Sequence, residues 1–314
     1  MARKKSVPAP SLFRRIRRRV GLFLCTLLIL CLVMVIGWMH VSSQVVQVRR
    51  AEVLVPDLPA SFDGTTILFA SDIDLCGLNT PDHAGRLFRR LQALSPDVLL
   101  LGGDYASPNL VDRLNGNAST GDYELREAFF REIASFTAPM GKYAITGDND
   151  GAPEALTLIT QKHGVQLIDG ALAVLQNDAD AIGIAGIGAR TEDVSSLAGR
   201  VRSDQCVIAL AHSPESVIDI RISEASGGGT WADLILTGHT HGGQINIAGR
   251  SIFTLTDTEK KYLSGWHEDG RAPLLVTTGV GCVGVNLRLS TLPEVWLLTL
   301  RNTLAPAPVL DMTF

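Results

Sequence analysis

The chain has 314 residues, of which 46% are hydrophobic and 19% are charged. This composition excludes a disordered polymer, and the length suits one large α/β domain or two small ones. The formal net charge is −4, but eight of the 28 basic residues lie within the first 19 positions. The other 20 basic residues stand against 32 acidic ones, a net charge of −12 that lacks the basic footprint of a nucleic-acid-binding protein.

The N-terminal region is typical of a membrane anchor. A basic tail precedes an uncharged, mostly apolar run that is long enough to cross a bilayer. A cleaved export signal is the alternative, with Val41 and Ser43 before the cleavage site, but the apolar part of such a signal is usually shorter. Because the basic residues precede the span, we expect a single-pass protein of the cell membrane with a cytoplasmic N-terminus and an extracytoplasmic domain. The predicted order is a cytoplasmic tail over 1–19, a transmembrane helix over 20–39, a juxtamembrane linker over 40–50 and a domain over 51–314.

The five cysteines do not indicate a disulfide scaffold. Cys25 and Cys31 lie in the apolar span, and Cys76, Cys206 and Cys282 form an odd, scattered set. These three are predicted to be small buried side chains.

Strand and helix patterns alternate along the rest of the chain. The predicted strands cover 51–55, 65–71, 97–101, 142–146, 165–169, 171–175, 181–188, 206–212 and 231–237. Asp63 and Gly64 predict a turn that joins the first two strands. The predicted helices cover 81–95, with Thr80 as N-cap, 123–136 and 153–163, and residues 107–121 have the composition of a long exposed loop. This alternation indicates a layered α/β architecture.

Polar side chains follow five of the predicted strands at the point where each strand ends. They are Asp72, Asp74, Asp104, Asp148, Asn149, Asp150, His212, His239 and His241. Because ligands bind at the carboxyl ends of strands in α/β sheets, we expect the five strand ends to face one edge. Carboxylate and imidazole groups gathered in this way fit a metal site, and their number suits two ions.

Taken singly, most of these residues have ordinary structural explanations. An aspartate after a strand, such as Asp72, is usually a turn former or a helix cap, and a lone histidine such as His212 is more often a core or surface residue. The GHTHGG segment at 238–243 is more specific, because it places two imidazoles on alternate residues between glycines. The ordered set, rather than any one member, indicates the metal site.

The ordered set resembles the calcineurin-like metallophosphoesterase superfamily, particularly its membrane-anchored bacterial branch. The family blocks DxH, GDxxD, GNH followed by an acid, a separate His, and GHxH are similar to SDID, GGDYAS, GDND, LAHSPE and LTGHTHGGQI in this chain. The resemblance runs from about residue 66 to residue 300. It implies a four-layer α-β-β-α sandwich after one N-terminal transmembrane helix. It also implies hydrolysis of a phosphomonoester, a phosphodiester or a pyrophosphate by a water that two metal ions activate.

The same resemblance implies which residues hold the two ions. The first ion would be held by Asp72, Asp74, Asp104 and His241. The second would be held by Asp104, Asp148, His212 and His239, so that Asp104 bridges the pair. The candidate catalytic residues are Asn149 and Asp150, which occupy the GNH-acid block.

Four positions depart from the family pattern. Asp74 stands where the family has His, Asp148 where it has the ligand Asn, Asn149 where it has the His that assists catalysis, and Ser107 where GDxxD ends in Asp. Asn149 cannot deliver a proton, and loss of a general acid typically costs about 10²- to 10⁴-fold on poor leaving groups. An attenuated phosphatase is therefore expected. His83, on the first helix of the domain, is a candidate replacement acid, although a surface role suits it better.

The departures also change the charge of the expected centre. Four aspartates supply carboxylates where a family-type shell has two, so two divalent ions would leave the cluster near neutral. A shell richer in carboxylate oxygen favours Mn, Mg or Ca over Zn.

Two functions of different classes follow. The first is the phosphoesterase, whose expected partners are the bilayer and a phosphoester of the envelope or linked to a lipid, and not a nucleic acid. The second is a pseudoenzyme that binds metal or phosphate as an envelope receptor or scaffold, and Asn149 supports it. The histidines favour the enzyme, because a domain with no use for metal has little reason to carry these ligands in the family order.

Overall fold

The computed structural model describes residues 12–108, 114, 123–253, 255–303 and 311–313. It begins with the helix α1 (Leu12–Ser42), which is exposed up to Trp38. By length and composition, α1 is able to cross a membrane. The helix extends beyond the predicted span of 20–39 at both ends. The first strand begins at Gln47, inside the stretch predicted as linker, so little of 40–50 is a free connection.

The described chain contains short strands and helices in alternation after α1. The strands are β1 (Gln47–Leu54), β2 (Thr66–Ala70), β3 (Val98–Leu101), β4 (Lys142–Ala144), β5 (Gln166–Leu167), β6 (Leu172–Asn177), β7 (Asp180–Ile187), β8 (Val207–Ala211), β9 (Leu234–Thr237), β10 (Asn246–Ile247), β11 (Arg250–Ser251), β12 (Gly265–His267), β13 (Leu274–Val276), β14 (Glu294–Arg301) and β15 (Asp311–Thr313). The helices are α2 (Pro81–Leu91), α3 (Tyr123–Glu132), α4 (Pro153–Lys162), α5 (Val194–Ala198), α6 (Ser216–Ile222) and α7 (Asp257–Lys261).

Two sheets and two groups of helices form the four layers that the family resemblance implies, so that prediction is confirmed. The first sheet has the order β15-β1-β14-β2-β3-β4-β5, and the second has the order β12-β13-β9-β8-β7-β6. Alternate residues of β2 show the layering, because Ile67 and Phe69 pack between the sheets while Leu68 and Ala70 pack under the helices. Helices α2, α3 and α4 cover the first sheet, and α5 and α6 cover the second.

Asp63 and Gly64 form a turn before β2, as predicted, but the two strands that they join do not pair as a hairpin. Strand β14 lies between them, parallel to β1 and antiparallel to β2. The two turn residues bind the end of that inserted strand instead: the Gly64 amide donates to the Leu300 carbonyl at 2.8 Å, and the Asp63 carboxylate accepts from the Asn302 amide at 3.0 Å. A strand from the far end of the sequence therefore satisfies the groups that a hairpin would have paired.

The helix signals are borne out more closely. The Thr80 hydroxyl accepts a hydrogen bond from the His83 amide, and Pro81 occupies the first helical turn. Helix α3 ends at Glu132, four residues before the predicted end at Phe136. The predicted loop at 107–121 lies largely outside the described residues.

The strand directions bring the polar segments together. Strands β2, β3 and β4 are parallel neighbours in the first sheet, and β7, β8 and β9 are parallel neighbours in the second. All five segments that carry the predicted ligands leave the carboxyl ends of these strands, where the two sheets face each other.

Candidate metal centre

The seven predicted ligand side chains lie in one continuous cluster. Three groups have ligand atoms within 4.8 Å of one another: Asp148, His212 and His239; Asp72, Asp104 and His212; Asp72, Asp74 and His241. Because Asp72 and His212 each belong to two groups, the three groups form a row. The two end groups contain ligands of the two different ions that the family resemblance implies. The middle group contains Asp72 and Asp104.

The outer end of the row is formed by two histidines and one accessible carboxylate. His239 Nδ1 lies 2.9 Å from Asp148 Oδ2, and His212 Nε2 lies 3.6 Å from the same oxygen. These contacts, first with His212 and then with His239, hold the pKa of Asp148 well below its usual range. Asp148 is exposed whereas His212 is fully buried, so this end of the row opens to solvent.

The inner end of the row contains two buried acceptors that face each other. His241 Nε2 and Asp74 Oδ2 are 3.3 Å apart, and among the described residues no hydrogen bond serves either atom. Burial, followed by the charge of Arg288, holds the pKa of His241 well below 6.5, so its ring is neutral. Two buried acceptors at this distance need a proton or a cation between them, and their chemistry fits a divalent ion.

The backbone is strained at the ligands themselves. Positive φ angles occur at Asp72, Asp74, Asp104, His239 and His241, with values between 46° and 71°. Residues other than glycine rarely adopt this left-handed conformation, and it is commonest at functional sites. Glycine is required at two positions that lie against the ligand side chains. A Cβ on Gly238 would lie 2.3 Å from Asp72 Oδ2, and one on Gly147 would lie 2.3 Å from Asp104 Oδ1.

Asn149 is bound to the middle of the row. Its backbone amide donates to Asp104 Oδ1 at 2.8 Å, and its side-chain amide donates to Asp104 Oδ2 at 2.7 Å. Asp104 is thereby oriented through both of its oxygens. The side chain of Asn149 provides hydrogen-bond donors here and carries no titratable group.

Asp150 lies beneath the row and supports two of its loops. Its carboxylate accepts from the amides of Asp104, Tyr105 and Gly147 at 2.7, 3.0 and 2.8 Å. Burial and then the charge of Asp104 raise its pKa to about 7. This geometry makes Asp150 a support for the loops that carry Asp104 and Asp148 rather than a group that faces solvent.

Two residues that the sequence analysis did not single out, Glu259 and Arg288, contact the histidines His239 and His241. Glu259 Oε1 lies 2.9 Å from His239 Nε2, while the other oxygen of Glu259 caps α7 through the Thr256 amide. The TxxE pattern at 256–259 predicts that cap. Nothing local in the sequence predicts the contact with a histidine 20 residues away. A second partner of this kind fixes which ring nitrogen faces a metal.

Arg288 is the other missed residue. It is fully buried, and its Nη2 donates to the carbonyls of Thr278, Gly279 and Gly281 at 2.8, 3.2 and 2.6 Å. Arg288 also contacts His241 directly: its Nη1 donates to the His241 carbonyl at 3.4 Å, and its Nη2 lies 3.4 Å from His241 Nδ1. Arg288 thus contacts both the backbone and the ring of His241, and it places a positive charge close to Asp74.

The other singled-out residues have clear positions. The Ser107 hydroxyl donates to Asp74 Oδ1, so it supports the unusual carboxylate directly. His83 belongs to none of the ligand groups and lines a groove beside α2. Cys76, Cys206 and Cys282 are buried, as predicted.

The metal-free centre holds protons that an ion must displace. Burial raises the pKa of Asp72, and burial together with Asp104 and Asp72 raises the pKa of Asp74 well above its usual range. Burial opposes a charge on His212, but the surrounding carboxylates, Asp104 first, outweigh it and raise that pKa as well. Metal binding is therefore coupled to proton release.

Removal of metal is expected to make stability depend on pH. Asp72, Asp74 and His212 have pKa values that are higher in the folded metal-free protein than in the unfolded chain, so the folded state binds more protons. Stability is then lost as the pH rises through the folded-state values. We expect the chelated protein to melt at a lower temperature at about pH 9 than at about pH 7, and the Mn²⁺-loaded protein to lose less. Equal pH dependence of the two melting temperatures would contradict this.

Comparisons with known proteins agree with the geometry. No protein-family model matches the chain. An uncharacterized metallophosphoesterase of Aquifex aeolicus (strain VF5) is 26% identical over 283 residues, which cover 85% of this chain and 96% of that protein. Phosphodiesterase YaeI of Escherichia coli (strain K12) is 30% identical over 220 residues, which cover 65% of this chain and 70% of that protein. The calcineurin-like phosphoesterase YfkN of Bacillus subtilis is a solved structure with a TM-score of 0.37 and 14% identity, covering 69% of this chain and 82% of that one.

The two sequence matches cover most of the domain and are not confined to one motif. The relatives are metallophosphoesterases and a phosphodiesterase, and the acid and histidine cluster is suited to divalent metal ions. The chain therefore belongs to the calcineurin-like metallophosphoesterase superfamily and is a metal-dependent phosphoester hydrolase.

Proposed function

We propose that the protein hydrolyses a phosphomonoester, a phosphodiester or a pyrophosphate at a centre of two divalent ions held by the seven clustered side chains. The observation that carries this proposal is the row of three overlapping ligand groups. The buried end would use Asp72, Asp74, Asp104 and His241, and the open end would use Asp104, Asp148, His212 and His239. When bound, the ions supply charge stabilisation of the phosphoryl group and activation of the nucleophile.

The side chains of the centre determine which metals and which leaving groups are favoured. Four carboxylates balance the charge of two divalent ions, and their hard oxygens favour Mn, Mg or Ca over Zn. Asn149 keeps Asp104 in place and offers hydrogen-bond donors beside the open end. Because an amide cannot protonate a leaving group, substrates whose leaving group departs without a proton are favoured.

A membrane anchor is part of the proposal, and the length and composition of α1 support it. We assign residues 1–19 to a cytoplasmic tail and 20–39 to the span, with the hydrolase domain after it outside the cytoplasm. A zebrafish relative that is 22% identical over 278 residues is named a transmembrane protein with metallophosphoesterase domain, which supports an anchor. Outward topology favours a phosphoester of the envelope, including one linked to a lipid.

One observation favours a second function. The Asn149 side chain is engaged with Asp104 at 2.7 Å and provides no titratable group. A centre of this kind is able to hold metal and phosphate without turnover, as a receptor or scaffold would. The two functions differ in whether a metal-loaded protein hydrolyses an activated ester.

Removal of a ligand side chain at the open end is expected to reduce both the bound metal and the rate of hydrolysis. Purified full-length protein should retain Mn²⁺ and hydrolyse mono-aryl or bis-aryl phosphates, whereas His239→Ala should lose bound metal and at least about 10²-fold in rate. His163→Gln is the matched control, because this histidine lies at the end of α4, away from the ligand groups. Metal content is measured by elemental analysis. Bound metal without turnover on any aryl ester would favour the receptor function.

Restoring the missing acid is expected to change the leaving-group preference. Asn149→His should leave rates on aryl phosphates nearly unchanged and raise those on alkyl phosphates by about 10²-fold, because only the poor leaving group needs a proton. Asn149→Gln, which keeps an amide, is the control and should give no such gain. Equal rates of the wild-type protein on alkyl and aryl esters would count against the assigned role of Asn149.

The two departures at Asp74 and Ser107 are expected to be energetically coupled. Ser107→Asp replaces a hydroxyl donor by a second carboxylate against Asp74, which should cost the metal-free protein about 1–3 kcal/mol of unfolding free energy. Asp74→His in the same chain restores an opposite partner and should recover part of that loss. Ser107→Ala, which removes only the hydrogen bond, separates the two effects. Additive free energies in urea unfolding would contradict a coupled pair.

A further inference from the structure

The last turn of α1 is docked on the domain through residues 282–291, which we call the anchor loop. The Met39 carbonyl accepts a hydrogen bond from the Arg288 amide at 3.0 Å. The Ser43 hydroxyl donates to the Asn286 carbonyl, also at 3.0 Å. The helix end is therefore fixed against the domain instead of being joined to it by a free tether.

The anchor loop also holds the small hairpin formed by β10 and β11. The Asn246 amide donates to the Leu289 carbonyl at 3.0 Å, and the Ser290 hydroxyl lies 3.4 Å from the Asn246 carbonyl. Leu289 and Ser290 directly follow Arg288 in the chain. The hairpin thus lies next to the end of the membrane helix.

The hairpin presents large apolar side chains to the outside. Ile247 is 59% exposed, Ile252 is 57% exposed and Phe253 is 38% exposed. Arg250, which pairs with Ile247 across the hairpin, is exposed as well. Apolar side chains exposed together with a basic residue indicate a surface that meets an amphipathic partner.

A groove borders the same helix end on the α2 side. It has a volume of about 390 Å³, begins at Gln44 and Val46 and continues along Leu87 and Leu91 of α2. Arg86 and Arg90, both exposed, form its rim. An apolar floor with a basic rim matches an acyl chain with an anionic head group.

We propose that these two features are one bilayer-contacting face, so that the domain rests on the membrane beside α1 instead of standing away from it. The face consists of the hairpin side chains and the basic-rimmed groove, and its partner is the lipid surface that α1 enters. Continuity with the helix supports that partner, because Trp38, an exposed aromatic residue typical of the bilayer interface, directly precedes the docked Met39. This inference rests on the membrane-anchor part of the proposed function.

The face brings the metal centre close to the lipid surface. Arg288 donates its backbone amide to the helix end, and its guanidinium contacts the His241 carbonyl and ring at 3.4 Å. One residue therefore separates the docked end of α1 from the support of a candidate ligand. The substrate class that suits this position is a phosphoester presented at the bilayer surface, such as a phosphorylated lipid head group.

The depth of the hairpin in the membrane tests the proposal without any need for turnover. The full chain is prepared with Cys25 and Cys31 replaced by alanine, so that the remaining native cysteines are buried. Ile247→Cys or Ile252→Cys is then labelled with an environment-sensitive fluorophore and placed in nanodiscs of phosphatidylethanolamine and phosphatidylglycerol. Ile222→Cys is the matched control, because Ile222 is 72% exposed at the end of α6, and α6 runs back from the strand ends that carry the ligands.

We expect the two hairpin probes to be quenched by lipids that carry a nitroxide near the head group and to be protected from aqueous iodide. The probe at 222 should show the opposite pattern. Iodide quenching of the hairpin probes equal to that at 222 would overturn the proposal, as would protection from both quenchers, which indicates a protein partner. A chain that fails to enter nanodiscs would overturn the anchor and the face together, whereas inactive protein with lipid-quenched hairpin probes would overturn only the proposed hydrolysis.

Discussion

The burial of Asp72 and Asp74 between two sheets is the constraint on which the rest of the structure depends. Two carboxylates with no exposed surface are unfavourable unless positive charge or donors surround them. For Asp72 the second sheet supplies a donor, because the His239 backbone amide donates to its carboxylate. For Asp74 the Ser107 hydroxyl and the charge of Arg288 take this role. Five of the ligand residues have left-handed backbone conformations, and glycines make close contacts beside them. This backbone strain is the local cost of bringing seven polar side chains together.

The groups around Asp74 balance its negative charge. A carboxylate at 74 is tolerated because Ser107 donates to it and because Arg288 lies fully buried nearby. A second acid at 107 would have placed like charges at hydrogen-bond distance. The side chains at the inner end of the centre therefore act as a unit, whereas at the open end Asn149 brings no titratable group and orients Asp104 through two hydrogen bonds.

The sequence predicted the layers and the strand ends because both depend on local patterns. Apolar runs marked β2, β3, β8 and β9, and the polar residues after them meet because parallel strands share an edge. Contacts between distant parts of the sequence could not be predicted from local patterns. The insertion of β14 beside β2 depends on a strand more than 220 residues away, and the roles of Arg288 and Glu259 depend on loops that approach the histidines from another part of the chain. Side chains that support ligands carry no motif of their own, since any element with the right approach is able to supply them.

The end of α1 and the candidate metal centre share one structural support. The anchor loop receives the end of α1 through the Arg288 amide and contacts His241 through the Arg288 guanidinium. Gln244 strengthens this link, because its side chain pairs with the backbone of Val283 and Val285 directly after the GHTHGG segment. A displacement of the helix end would therefore be transmitted to a candidate ligand through only two layers of hydrogen bonds. The docked end of α1 is consequently part of the support of the site.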